Sequence, residues 1–554
     1  MNRLRKHLLS VGLGICSLAT ATAQDASKLY SVDQYTGVAN ISIPITSYQL
    51  KNNELGVSLS YNTKGVPVRE FAGITGSHWS LSVGGTVSRT VKGLPDEFYG
   101  EGPAYNDNYV VTAALISKHS KYKGRLVVSK ENATERANPD FYRDPESDEY
   151  YVSAGTVQFS FQIGVDGGIF VSSKERYDVR FFIGDQPYTV PAPAAQNTIQ
   201  DVHIQVRDKD NGMTYYFSPS GRDMRVIAPY FRSSYPFVHT QNCAYPDIIS
   251  LLAEETPVVN TWKLDKIISA ENEQVTYTYQ TFHYPITEDL SWYQIVTEGS
   301  PAIDTFRTST PSYVMRRFET VDLVSQIDFP YGKTIQLQYD TDNTRLEFQG
   351  ISYNGGNPLL PKLNAILYKE ADKTMKYTFD YSYFHTPSVQ NAQLEVNTYQ
   401  NDAPDYYSLK LKGINVVDMT TSSVNRLYSF GYNDKKQRRF GKGLDFYGYY
   451  NGGDNDLGKW GNSLPGFNAR TTDLVSAQYG ILNKITTATG SEAIFYYGLN
   501  DGLSEIFALK PAIGYWYGAG SVGDGLRLAT VVLSDVNDPT LKKSVYYTYT
   551  GGQY

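Results

Sequence analysis

The feature that most constrains this chain is a unit that recurs from Trp262 onward. It consists of an apolar pair three residues apart, a polar turn, and a strand carrying large residues two apart. The opening pairs are Leu264/Ile267, Val324/Ile327, Leu363/Ile366, Leu411/Ile414, Leu482/Ile485 and Leu528/Val531. The closing pairs are Tyr277/Tyr279, Leu337/Tyr339, Phe379/Tyr381, Phe430/Tyr432, Phe495/Tyr497 and Tyr547/Tyr549. Turn formers such as Glu271-Asn272-Glu273, Pro330-Tyr331-Gly332, Thr489-Gly490-Ser491 and Asn537-Asp538-Pro539 separate them. Residues two apart share one face of a strand, so each unit reads as a β-hairpin with a single apolar face. A lone hairpin is marginal in water, and the units must therefore pair into a continuous sheet. A looser copy precedes them at Val202 to Phe217, with Asp210-Asn211-Gly212 as its turn.

The spacing between copies is uneven, which disfavours propeller blades of fixed length. A long sheet that coils on itself tolerates unequal loops better. The rest of the chain repeats the same grammar of short alternating runs, as in Val57-Ser-Leu-Ser-Tyr61 and Val157-Gln-Phe-Ser-Phe161. Helical periodicity is confined to short stretches, residues 113–117 and 248–255. With 47 tyrosines and 24 phenylalanines, the composition is that of strands. The expectation is an all-β protein of stacked hairpin repeats forming a long coiling sheet or partial shell over residues 256–554. A β-rich region, residues 24–255, precedes it.

Residues 1–23 read as a secretory signal. Arg3, Arg5 and Lys6 precede an apolar run from Leu8 to Leu18, and Ala21-Thr22-Ala23 offers small residues for cleavage before Gln24. That run is too short to span a bilayer, and nothing later has the length for a transmembrane helix. Cys16 would suit a lipid anchor were it not preceded by Ile15. The expected location is secreted or at the cell surface. Cleavage removes three cations from a chain already at net charge −7, leaving it more acidic. That balance excludes nucleic acid as a partner. Only Cys243 then remains, so packing alone must hold the fold.

Chemical motifs fail on context. Gly518-Ala-Gly520-Ser-Val-Gly523 spells a dinucleotide loop, but a strand follows it where a helix is required. Asp208-Lys-Asp210-Asn-Gly212 and Asp454-Asn-Asp456 have calcium-loop composition without the closing glutamate, and read as turns. The histidines 78, 119, 203, 239, 283 and 385 lack metalloprotease spacing, and no Gly-x-Ser-x-Gly elbow occurs. No catalytic, cofactor-binding or metal-ligating residue is expected, and no enzyme activity.

The closing strands, with Tyr339-Asp340 as a literal instance, resemble the tyrosine–aspartate (YD) repeats of RHS proteins. Tyr35-Thr-Gly-Val-Ala-Asn-Ile-Ser-Ile-Pro44 and Val57-Ser-Leu-Ser-Tyr-Asn-Thr-Lys-Gly-Val-Pro-Val68 are similar to the leading segments of secreted RHS proteins common in Bacteroidota. So are Gly76-Ser-His-Trp-Ser-Leu-Ser-Val-Gly-Gly-Thr-Val-Ser-Arg-Thr-Val91, Gly93-Leu-Pro-Asp-Glu97, Asp445-Phe-Tyr-Gly-Tyr-Tyr-Asn451 and Gly480-Ile-Leu-Asn-Lys-Ile485. The resemblance implies a hollow, non-catalytic β-shell that encloses or presents a toxin or effector domain, or acts at the cell surface. The RHS core and variable tail of that family have no counterpart here. The resemblance thus implies a partner, an RHS-core or toxin polypeptide, at an open C-terminal edge. There Ser544 to Tyr549 reads as an uncharged strand preceded by Lys542 and Lys543. The alternative is an adhesin-like module that binds a surface glycan or protein through exposed aromatics. Under the shell reading the named closing residues are structural.

Overall fold

The computed structural model describes residues 25–50, 53–68, 70–90, 148–163, 169–184, 186–188, 202–220, 222–223, 258–290, 313–341, 345–348, 359–371, 373–385, 407–419, 421–437, 439, 443, 445, 447–452, 472–502, 522–538 and 540–549. These residues are almost wholly β. The helical candidates at 113–117 and 248–255, Cys243, His119, His239 and Asp454-Asn-Asp456 lie outside them.

A four-stranded antiparallel sheet opens the chain: β1 (Tyr30–Val32), β2 (Ala39–Leu50), β3 (Asn53–Asn62) and β4 (Trp79–Ser82). Strict alternation builds it. Ile41, Ile43 and Ile45 of β2 are buried while Asn40, Ser42 and Pro44 between them are exposed.

Next come β5 (Thr86–Thr90), β6 (Glu149–Ala154), β7 (Val157–Ile163), β8 (Ile169–Val171), β9 (Tyr177–Ile183), β10 (Gln186–Tyr188), β11 (Val202–Asp208) and β12 (Thr214–Pro219). A small pair follows, β13 (Arg222–Asp223) with β14 (Val258–Val259), and then β15 (Thr261–Ile268). β15 is the junction of the large sheet. One of its edges pairs with β12, and the other is shared by β5 and β16 (Gln274–Leu290). Through this junction the sheet turns back on itself. Tyr150, Phe161 and Trp262 pack together there, with Tyr150 and Phe161 stacked at 4.8 Å. Arg89 and Asp148 form a fully buried ion pair beside them.

From β16 the hairpins follow in order. They are β17 (Tyr313–Asp328), β18 (Thr334–Asp340), β19 (Lys362–Glu370), β20 (Lys373–His385), β21 (Tyr407–Asp418), β22 (Val424–Tyr432), β23 (Leu482–Thr487), β24 (Ser491–Gly502), β25 (Val522–Asp535) and β26 (Lys542–Tyr546). Each pairs antiparallel with its sequence neighbour. The one described α-helix, α1 (Leu474–Ala477), is a single turn capped by Asp473. One hydrophobic cluster joins the inner face of β2 and β3 to the repeat sheet. Residues of both 24–255 and 256–554 therefore share a core. Lys542 and Lys543 do not precede the last strand as the sequence suggested. They lie within it, opposite Ser534 and Leu533, because the ladder with β25 begins there.

Candidate functional site

The opening pair is spaced by three and the closing pair by two, and the register explains both. Five of the six closing pairs lie opposite the opening pair of the next unit. Tyr277 and Tyr279 face Ile327 and Val324, Leu337 and Tyr339 face Ile366 and Leu363, and Phe379 and Tyr381 face Ile414 and Leu411. Phe430 and Tyr432 face Ile485 and Leu482, and Phe495 and Tyr497 face Val531 and Leu528. A register shift separates the two members every time. Four residues therefore oppose three, and the one extra residue is a β-bulge. The early copy behaves alike, with Tyr215 opposite Ile267 and Phe217 opposite Leu264 across a bulge.

The second closing residue is tyrosine in all six units, and its hydroxyl has one partner type. It donates to the carbonyl of the first opening residue of its own unit. The contacts are Tyr279 to Leu264 (2.5 Å), Tyr339 to Val324 (2.6 Å), Tyr381 to Leu363 (2.8 Å), Tyr432 to Leu411 (2.7 Å), Tyr497 to Leu482 (2.6 Å) and Tyr549 to Leu528 (2.8 Å). Phenylalanine could fill the same space but would leave a carbonyl in the core short of a donor, so the hydroxyl is what the position selects. The early copy shows the compensation. Phe217 has no hydroxyl, and the Val202 carbonyl is met by the Trp262 indole N–H at 2.8 Å. Desolvation raises the pKa of these tyrosines, most strongly at Tyr432 and Tyr497.

The N-terminal segment lies as a strap along this row of bulges. The amides of Leu264, Leu363 and Leu528 donate to the carbonyls of Gly85, Ile74 and Gly37, all at 2.9 Å. The Leu482 amide donates to the Tyr61 hydroxyl at 3.0 Å. At Leu411 the backbone comes so close that a Cβ on Gly76 would meet its nitrogen at 3.0 Å. A Cβ on Gly37 would meet the Tyr549 ring at 2.8 Å, and Gly37 has φ of 71°. Glycine is required there on both counts. The Trp79 indole donates to the Tyr432 hydroxyl at 2.7 Å, so Tyr432 accepts from the strap and donates to Leu411. His78, whose φ is 63°, packs on the Tyr61 ring; burial lowers its pKa to about 4.

Two buried arginines clasp the strap midway. Arg345 donates to the Ala72 and Gly73 carbonyls and pairs with Glu347. Arg439 donates to the Glu70 and Tyr407 carbonyls and lies 4.0 Å over the Phe71 ring. Burial pushes the Glu70 carboxyl up.

The structure thus places the named aromatics in one row. Phe379, Phe430, Phe495 and Tyr497 are buried; Tyr277, Tyr279, Tyr339, Tyr381, Tyr432 and Tyr547 are half-buried against the same core, and Tyr549 is half-buried. Sequence reasoning missed Gly37, Tyr61, Trp79, Gly85, Trp262, Arg345 and Arg439. Only the constancy of tyrosine at the second closing position hinted at a polar role. At the acidic turn, Asp208 is buried against Arg176 at 2.9 Å and accepts from the Asp210 amide. Among the described residues no three His, Cys, Asp or Glu side chains are grouped to hold a metal. Residues 518–521 of the glycine loop are outside the described residues, and Val522 and Gly523 begin β25. No described helix is long and apolar enough to cross a membrane.

No family model matches the chain, and no curated protein matches its sequence. Among solved structures, the chain is similar to the TcdB2-TccC3 complex, with 10% identity and a TM-score of 0.30. It is also similar to the Photorhabdus luminescens Tc holotoxin pore, with 9% identity and a TM-score of 0.30. These alignments cover 74% of this chain in both cases, but only 17% and 16% of the compared chains. A third similarity is to the N-terminal domain of the effector protein SpvB from Salmonella typhimurium strain LT2. Identity there is 10% and the TM-score 0.25, over 68% of this chain and 98% of that one.

Proposed function

We propose that this chain is a non-catalytic scaffold of RHS/YD type. It is exported after cleavage behind Ala23, and its β-shell presents or encloses a toxin or effector domain. The observation that carries the reading is the repeated tyrosine contact. Six hydroxyls are committed to backbone carbonyls of their own units. A tyrosine engaged in this way holds a sheet together and has already committed its one O–H donor, which it cannot offer to a glycan. This is why the scaffold is preferred to an adhesin that works through these same residues.

The test is recovery of the protein from its producing cells, followed by limited proteolysis. The scaffold reading expects a co-isolated effector polypeptide that resists protease until the β-shell is unfolded. Recovery of the protein alone, together with dose-dependent binding on a glycan array, would overturn it. Export is tested by mass spectrometry of the mature protein. Gln24 is expected as the first residue, and a start at Met1 or a lipid on Cys16 refutes it.

A further inference from the structure

The opening strands β15, β17, β19, β21, β23 and β25 each pair antiparallel with a closing strand on either side. All six turns within units therefore emerge at one end of the sheet. These turns alternate in chemistry. Between β15 and β16, β19 and β20, and β23 and β24, the largest apolar residues are Ala270, Ala371 and Ala488. The intervening turns carry large apolar residues that point into solvent. Tyr331 stands between β17 and β18, Met419 and Val424 flank the turn between β21 and β22, and Val536 and Leu541 flank the turn between β25 and β26. Tyr331 is 85% exposed and the other four are 48–60% exposed. We propose that this end of the sheet seats on a lipid surface of zwitterionic headgroups, with these five side chains entering the acyl boundary.

Two observations carry the proposal. The first is backbone strain at the most exposed of the five. Tyr331 has φ of 64°, a left-handed conformation that its counterparts Asn272, Ala371, Ser422 and Gly490 also adopt. Asparagine or glycine suits such a position, and a tyrosine is strained there. Its hydroxyl reaches Glu273 of the neighbouring turn at 3.4 Å, too long a surface contact to offset that strain. An aromatic held in a strained backbone and turned to solvent points to a contact outside the chain.

The second observation is the spacing, which selects the kind of partner. Strands lie about 4.8 Å apart, so successive apolar tips, four strands apart, are about 19 Å from one another. Alanine turns lie between them. A specific protein interface covers about 800 Å² on each partner as one packed patch, and separated tips do not supply it. A bilayer surface accepts separate side chains, each buried alone while the polar turn stays at headgroup level. Tyrosine is suited to that boundary because its ring is apolar and its hydroxyl stays wet. Charge selects the headgroup. Around the tips Glu271, Glu273, Asp418, Asp535 and Asp538 outnumber Lys333 and Lys542, so an anionic leaflet repels this end of the sheet.

The test is flotation of the full mature chain with vesicles of phosphatidylcholine. Binding is expected, and replacing part of the lipid by phosphatidylglycerol should weaken it. The double variant Val536→Ser, Leu541→Ser should lower the partition coefficient about tenfold, since both side chains lose their burial in the bilayer. Tyr331→Asn separates lipid contact from folding. It should lower partitioning while its urea midpoint stays at or above that of the parent, because asparagine tolerates the left-handed backbone. Phe170→Ser removes an aromatic that is 64% exposed on β8, away from these turns, and should leave partitioning unchanged. Absence of flotation, stronger binding to the anionic vesicles, an equal loss in Phe170→Ser, or a Tyr331→Asn variant that binds as the parent does would each overturn the proposal. None of these outcomes bears on whether an effector co-purifies, so the scaffold reading stands or falls separately.

Discussion

Replacing Tyr497 by phenylalanine isolates the contribution of one hydroxyl. The residue is 7% exposed, and its hydroxyl lies 2.6 Å from the Leu482 carbonyl. The ring keeps its packing, so almost no apolar area changes. A net hydrogen bond is worth about 0.5–1.5 kcal/mol, but a buried acceptor left without a donor costs about 1–3 kcal/mol. Water has poor access at this depth, so a loss of about 2 kcal/mol is expected. Tyr497→Ala also empties the ring's volume and should cost about 3–5 kcal/mol. The same hydroxyl deletion at the half-buried Tyr549 should cost about 0.5 kcal/mol, because solvent can take over the Leu528 carbonyl. Phe217→Tyr should bring no gain, since Trp262 already occupies the Val202 carbonyl. Urea unfolding followed by circular dichroism gives the differences as midpoint shifts at constant slope. Amide exchange in β23 and β24 localises them. If Tyr497→Phe unfolds with the parent, or if Tyr549→Phe costs as much, the hydroxyl contacts do not stabilise the sheet and the argument fails.

The row of tyrosines also sets an alkaline limit. Burial raises the pKa of Tyr381, Tyr432 and Tyr497, so the folded state retains phenolic protons that the unfolded state releases. Stability from this source is complete below about pH 10 and falls above it, by about 1.4 kcal/mol per pH unit for each such group. Phenolate absorbance at high pH should therefore rise together with loss of β-structure; smooth titration of all tyrosines in an intact fold contradicts this. On the acid side His78 is held neutral, with a pKa of about 4 against an ordinary 6.5. Its contribution is present above pH 6.5 and is lost as pH falls toward 4, by about 1–3 kcal/mol in all. In His78→Asn, which tolerates the left-handed backbone, that part of the pH dependence should vanish; a profile unchanged from the parent would show that another group is responsible.

Much of the fold was legible because one physical rule generates it. Alternation placed the strands, turn residues placed the hairpins, and the repeated pairs marked which face is buried. The difference between a pair spaced by three and a pair spaced by two already implied a bulge. Seeing it required knowing that a closing pair faces the next unit and not its own. Five of the six extra residues, Asp265, Ser325, Asn364, Lys412 and Asn483, are polar, as suits positions turned from the core, and the sixth is the small Ala529. The second closing tyrosine read only as an aromatic, since periodicity cannot distinguish a ring from a ring with a donor. Nor did the tyrosine–aspartate dipeptide generalise. Asp340 pairs with Lys362 at 3.1 Å, while the residues after Tyr279, Tyr432 and Tyr497 are Gln280, Asn433 and Gly498.

The strap was not legible because its contacts join residues hundreds of positions apart and leave no period in the sequence. Its energetic weight can nevertheless be worked from the structure. Removing residues 24–90 would strip the acceptors from the amides of Leu264, Leu363, Leu482 and Leu528. At about 1–3 kcal/mol for each bare buried donor, that is roughly 4–12 kcal/mol. The apolar face covered by Ile41, Ile43 and Leu59 would also be opened to water. Folded domains hold only about 5–15 kcal/mol in total. Residues 91–554 expressed alone should therefore lack a cooperative unfolding transition, despite containing all six repeat units. A fragment of residues 24–90 supplied in trans should restore the transition in part, and Gly37→Val in that fragment should weaken the rescue, because the branched side chain would run into the Tyr549 ring. If residues 91–554 alone unfold cooperatively at the midpoint of the full chain, the strap is a passenger on a self-sufficient sheet.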